Sequence, residues 1–279
     1  MEPAASRSRP MSDPLDAPYP LAPLVIDRFH QQGFIRLKQV LPADLLADYG
    51  AEITRLTLAL NTETRPLEER DTYDRAFLQV MNLWRHSEKV RRFVFGKRLA
   101  GIAARLIGAQ GVRLYHDQSL YKEPSGGITP AHADQYYWPF ASDKTVTAWV
   151  PLQPVPPEMG PLAFFAGSHR EAFGRDLPIS DESEAAITAA MEARAFPLDE
   201  APYDLGEVSF HLGWTFHRAG ANRAATPRSV MTMIYFDRDM RVAAPANMMQ
   251  ANDLATWLPG VQPGEAAASP LNPVLFEAA

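Results

Sequence analysis

His132-Ala133-Asp134 sets an imidazole and a carboxylate two residues apart. In a strand, side chains at i and i+2 leave the same face, about 6 to 7 Å apart at their Cα atoms. That spacing is a workable bite for one metal ion. Taken alone the pair is ordinary, and a hydrogen-bonded strand pair is its plainest reading. His217, closing the run Trp214-Thr215-Phe216-His217, adds a second imidazole, and Arg228 follows it by eleven residues. Two His and one carboxylate on one face of a metal form the donor set that suits non-heme Fe(II) and leaves three coordination positions open. A 2-oxo acid fills two of them and dioxygen the third. The distal carboxylate of such a cosubstrate needs a cation, and the planar fork of Arg228 binds a carboxylate in bidentate fashion. The plain alternative for Arg228 is a structural salt bridge near the start of a strand. The chain has no cysteine, so disulfides and thiolate ligands are excluded and any metal must be held by His, Asp or Glu.

These residues sit in the second half of the chain, where strand signals gather. Segments 112–122, 131–138, 144–152, 161–165, 207–211, 214–218 and 228–236 are short, rich in aromatic and β-branched residues, and punctuated by Gly or Pro. On the alternation expected for 131–138, Tyr136 and Trp138 share the face of His132 and Asp134, and Tyr137 takes the other. The first half reads as a short strand at 33–37, then a helix with Pro42 in its first turn and Leu45, Leu46, Tyr49, Ile53, Leu56 and Leu60 on one face. Ser87 is a candidate N-cap for a second helical region that Gly96 interrupts and Gly108 ends. Ser180, followed by Asp181, Glu182 and Glu184, is a candidate cap for one helix inside the strand-rich half. The pattern predicts an α+β fold, mainly β, with a jelly-roll core over 112–238 and a helical N-terminal part over 38–110 packed on one side. Residues 1–20 read as a disordered leader before one domain at 21–279, and residues 259–273 as a loosely packed Pro/Ala-rich tail.

The ordered set over residues 112–238 resembles the phytanoyl-CoA dioxygenase family of Fe(II)/2-oxoglutarate oxygenases. The likeness lies in His-Ala-Asp at 132–134, Tyr137-Trp138-Pro139-Phe140, Thr147-Ala148-Trp149-Val150-Pro151-Leu152, Met159-Gly160-Pro161-Leu162, Gly167-Ser168-His169, and His217 with Asn222 and Arg228. The resemblance implies a double-stranded β-helix core. It assigns His132, Asp134 and His217 to iron, and Arg228 to the 2-oxoglutarate carboxylate. It also implies that Trp149, Thr147, His116 and Gln118 line the cosubstrate pocket; on strand alternation the last two share a face with Leu120 and Lys122. His211, six residues before His217, competes for the second imidazole role, but only His217 has the family's spacing to Arg228. The implied chemistry consumes 2-oxoglutarate and O2, releases succinate and CO2, and oxidises a small molecule. Related halogenases lack the carboxylate, so Asp134 points to hydroxylation-type chemistry. Tyr136 and Trp138, with Trp214 as a third, are the candidate substrate walls.

A formal charge of −6, without a dense Lys/Arg cluster, argues against a nucleic-acid partner. No segment reads as a signal or membrane span, so the expectation is a cytoplasmic protein with a small-molecule substrate, compatible with a homo-oligomer. Two other readings remain at this level: a jelly-roll metalloenzyme using another metal without oxygen chemistry, and a non-catalytic 2-oxoglutarate-binding module.

Overall fold

The computed structural model describes residues 13–278. The helical half comprises α1 (Pro23–Gln32), β1 (Phe34–Leu37), α2 (Ala43–Leu60), α3 (Thr72–Ala76), β2 (Leu78–Met81), α4 (Glu88–Val94) and α5 (Lys97–Leu106). Pro42 is the N-cap of α2 rather than part of its first turn, because its ψ of 152° is extended. Ser87 caps α4 by accepting from the Val90 N–H, and Gly96 stands between α4 and α5, as the sequence predicts. The expected leader is structured from Asp13 onward. Leu15 is buried, Asp13 and Asp16 pair with Arg92, and the Ala17 carbonyl accepts from Arg98. Residues 1–12 of that leader lie outside the described residues.

The strand-rich half follows as β3 (Gly111–Lys122), β4 (Thr129–His132), β5 (Thr145–Pro151), β6 (Leu162–Phe165), α6 (Asp181–Ala193), β7 (Leu198–Asp199), β8 (Val208–Leu212), β9 (His217–Ala219), β10 (Arg228–Asp237), α7 (Met248–Trp257) and β11 (Val274–Glu277). Two antiparallel sheets result. The larger runs β1-β8-β5-β10-β3-β11, with β2 beside β11 on the outer edge of β3; the smaller runs β4-β9-β6-β7. Such a pair is a double-stranded β-helix, or jelly roll. α6 begins at Ser180, whose hydroxyl accepts from Ser183 N in a reciprocal capping box.

Alternation along the large sheet divides two environments. Val146, Ala148 and Val150 of β5, with Met231, Met233 and Tyr235 of β10, join the helices in one apolar core. Thr147 and Trp149, with Thr232 and Ile234, face the interior between the sheets. Both faces are covered, so β10 is buried almost throughout. β3 changes sides partway: Val112 and Leu114 face the helices, whereas His116, Gln118 and Leu120 face the interior. A bulge opposite Met233 and Tyr235 inserts the extra residue that reverses the parity.

The chain end closes that bulge. Asn272, fully buried, donates through Nδ2 to the Leu114 carbonyl at 3.2 Å and the Tyr115 carbonyl at 3.1 Å. The Leu114 N–H in turn donates to the Pro273 carbonyl. The 259–273 segment is therefore packed, not loose: Val261 and Ala267 are buried as well. Pro and Ala disfavour regular elements but do not prevent an irregular segment from saturating a bulge. Asn272→Ala leaves two buried carbonyls without this donor and is expected to cost about 2 kcal/mol of stability, read as a lowered midpoint in chemical denaturation.

Candidate metal centre and cosubstrate cavity

Strand pairing brings the two imidazoles together. β4 and β9 lie antiparallel with His132 directly opposite His217, and their ring centroids are 4.3 Å apart. Each ring is oriented in the same way. His132 Nδ1 meets the Pro130 carbonyl at 2.7 Å, and His217 Nδ1 meets the Thr215 carbonyl at 2.9 Å. With Nδ1–H donated to the backbone, Nε2 carries the free lone pair, the state in which His ligates metals.

Asp134 completes the group. Its Oδ1 lies 3.5 Å from His132 Nε2 and 3.6 Å from His217 Nε2, and the three ligand atoms lie within 4.8 Å of one another. Oδ2 is engaged elsewhere: it accepts from Thr147 Oγ1 at 2.9 Å and contacts His211 Nε2 at 3.1 Å. His211, treated above as a rival ligand, thus meets the outer oxygen of the carboxylate rather than joining the ligand group. Burial opposes ionisation of Asp134, but the imidazoles of His217, His132 and His211 around it prevail and hold its carboxyl well below the usual range. Burial pushes His217 well below the usual imidazole value, and the neighbouring His132 imidazole acts in the same direction. An ionised carboxylate and a neutral imidazole are the forms a metal requires. The His2Asp nitrogen and oxygen donors therefore fit Fe(II).

The group opens into a cavity of about 440 Å3. Arg228, the first residue of β10, lines it and is 1% exposed. Its guanidinium donates to the Gly160 carbonyl and stands over the Trp149 ring at 5.5 Å, while Nε has no partner. No acidic side chain pairs with it among the described residues, so it is not a structural salt bridge. Burial depresses its pKa to about 10, with Tyr203 opposing. A buried cation without a counter-ion is costly, and a bound carboxylate would relieve that cost. Lys122, opposite Arg228 in the β3–β10 register, is also buried, but its ammonium is met by the carbonyls of Gly127 and Gly220 and by Thr129.

His116, Gln118, Thr147, Trp149 and Trp138 line the cavity. Tyr136 and Trp214 do not. The strand expected over 131–138 stops at His132, and Asp134–Tyr137 forms a 3-10 turn. Its period of three in place of two brings Tyr137 to the cavity and turns Tyr136 away. β9 likewise starts only at His217, and Trp214 before it stacks with Arg175 at 4.5 Å. The sequence reading missed Tyr73, Phe77 and Ile179, and also Met249, Asp253 and Trp257 from α7. The four-residue steps of the last three would have been a signal once helix 248–257 was recognised.

A jelly roll with a His-Asp-His metal site and an uncompensated arginine in one cavity defines the class of non-heme iron, 2-oxoglutarate-dependent dioxygenases. Comparison with known proteins agrees. The phytanoyl-CoA dioxygenase (PhyH) family matches residues 29–230, and the chain belongs to that family. It is 22% identical over 250 residues to the 1-deoxypentalenic acid 11-beta-hydroxylase of Streptomyces exfoliatus, covering 83% of this chain and 85% of the relative. Among solved structures it is similar to the carbocyclase SnoK from nogalamycin biosynthesis, with a TM-score of 0.75, 24% identity, and coverage of 93% of this chain and 100% of that one. It is likewise similar to the epimerase SnoN in complex with Fe3+, alpha-ketoglutarate (2-oxoglutarate) and nogalamycin RO, with a TM-score of 0.73, 27% identity, and coverage of 91% and 98%. Iron and 2-oxoglutarate are accordingly the cofactor and cosubstrate of this enzyme.

Thr147→Val removes one of the two contacts to Asp134 Oδ2 while nearly keeping side-chain volume. It is expected to weaken Fe(II) affinity by about ten- to a hundredfold, measured by metal titration, with the fold retained by circular dichroism.

Proposed function

We propose that the enzyme hydroxylates, or oxidises by related chemistry, a small-molecule metabolite, with His132, Asp134 and His217 holding the iron and Arg228 binding the distal carboxylate of 2-oxoglutarate. The observation that carries this reading is the buried guanidinium of Arg228, without an acidic partner, in the same cavity as the three metal-type ligands. Bound iron supplies the oxygen activation. The chain's own residues position and enclose. Thr147 and His211 fix the carboxylate of Asp134, the Pro130 and Thr215 carbonyls orient the imidazoles, and Trp149 and Leu162 wall the Arg228 end against water. Asp134 occupies the carboxylate position that halogenases of this kind lack, which favours hydroxylation-type outcomes.

The cavity volume suits a small molecule. Among the described lining residues Arg228 is the only Arg or Lys, so nothing there matches the phosphates of a CoA ester. One relative hydroxylates 1-deoxypentalenic acid and a structural neighbour binds nogalamycin RO, and such different molecules do not transfer to this chain. No helix of the described residues is long and apolar enough to cross a membrane.

Purified protein is expected to form succinate only when both Fe(II) and 2-oxoglutarate are supplied. Asp134→Ala should abolish that turnover, and unchanged succinate formation in this variant would sink the proposal. Arg228→Met should raise the KM for 2-oxoglutarate about thirtyfold, from the loss of roughly 2 kcal/mol of charge-assisted hydrogen bonding. Without oxygen, Fe(II) and 2-oxoglutarate should give the weak visible charge-transfer band in the wild type, and in Arg228→Met only at correspondingly higher 2-oxoglutarate.

A further inference from the structure

We infer that Asp253, presented to the cavity by α7, determines specificity, and that the substrate carries a positive charge, as a protonated or quaternary amine. The inference rests on the oxygenase reading above and adds the chemical class of the substrate.

α7 buries none of its residues fully, yet Met249, Asp253 and Trp257, at four-residue steps, all line the cavity. The β3–β10 register puts this lining far from Arg228. Lys122 lies opposite Arg228, Gln118 lies opposite Thr232, and His116 is two residues further toward the bulge. The His116 ring stands 4.9 Å from that of Trp257, and Tyr115 donates to Asp253 Oδ2 at 3.0 Å. Arg228 and Asp253 therefore mark opposite ends of one cavity.

A charge count separates the two ends. Iron(II) carries two positive charges and Arg228 one; 2-oxoglutarate carries two negative charges and Asp134 one. These cancel. Asp253 is the other carboxylate among the described lining residues, and no Lys or further Arg lines the cavity to balance it. The same lining carries Tyr73, Phe77, Tyr137, Trp138 and Trp257, and aromatic rings attract cations. Burial raises the Tyr137 hydroxyl above its ordinary value, and the charges of Asp134 and Asp253 both add to the shift. Burial lifts the Asp253 carboxyl to about 7, and hydrogen bonds from Tyr115 and Trp257 draw it only partly back. A cation beside it would supply the missing charge, whereas an anionic substrate would set like charges together.

The test uses the full chain with Fe(II) and 2-oxoglutarate under anaerobic conditions, titrated by calorimetry with benzyltrimethylammonium, benzyl alcohol and benzoate. The cation is expected to bind at least about tenfold more tightly than the alcohol, and benzoate least. Asp253→Asn should bring the cation down to the level of the alcohol and leave the charge-transfer band unchanged. A wild type that binds the three probes alike or not at all, or a variant that keeps the cation preference, overturns the inference. If the wild type forms no charge-transfer band, the oxygenase reading itself fails; a normal band without cation preference refutes the assignment of Asp253 alone.

Discussion

A carboxylate has two oxygens, and in this fold the two sheets meet through them. Asp134 lies two residues beyond the end of β4 in the small sheet, while Thr147 of β5 and His211 of β8 belong to the large one. Their contacts to Oδ2 leave Oδ1 toward the paired imidazoles. Free rotation of the carboxylate would exchange the two oxygens and relax the facial geometry; two contacts from neighbouring strands oppose it. Thr147 and His211 stand opposite each other in the β5–β8 register, so one strand pairing sets both partners. The metal site is thus a property of how two sheets are registered, and the buried strands of the large sheet hold one half of it in place.

Much of this was legible in the sequence because strand alternation is a period-two code. Where β5 and β10 run without interruption, alternation separates Thr147 and Trp149 from Val146 and Ala148. The code fails where the backbone leaves the pleat. The 3-10 turn at Asp134–Tyr137 exchanged the roles of Tyr136 and Tyr137. The bulge in β3 is silent in sequence, since one extra residue alters no composition; it falls between Leu114 and Asp117, so His116 within it still reaches the cavity beside Gln118. His211 competes with His217 in the sequence because a histidine's type says nothing of which oxygen it will face. α7 escaped notice because it has no fully buried apolar face to generate a helical period.

The cavity has a direction. At the Arg228 end, two basic residues lie opposite each other on neighbouring strands, and only Lys122 is fully provided with oxygen acceptors. That difference explains why Arg228, not Lys122, is the group available to an anion: the ammonium, a compact donor, is consumed by backbone carbonyls, whereas the guanidinium keeps donors in reserve. At the other end the donors give way to aromatic rings and one carboxylate. An anionic cosubstrate and a cationic substrate would be sorted by the field before either reached the metal.

The elements that carry these two ends differ in kind. The three metal-type ligands and Arg228 come from paired strands or from the turn that follows one, whereas the far wall is built from α7, the Tyr73–Gln79 stretch and the Pro178-Ile179 turn. Oxygen chemistry tolerates little displacement of its ligands, which favours the most rigid part of the scaffold. Substrate choice can be rewritten in peripheral elements without disturbing it. α7 is fastened by few contacts: Asn247 and Gln250 donate to the Tyr136 carbonyl, and Asp253 accepts from Tyr115. Tyr136, which does not line the cavity, still bears on its far end, because its carbonyl anchors the helix that carries Asp253.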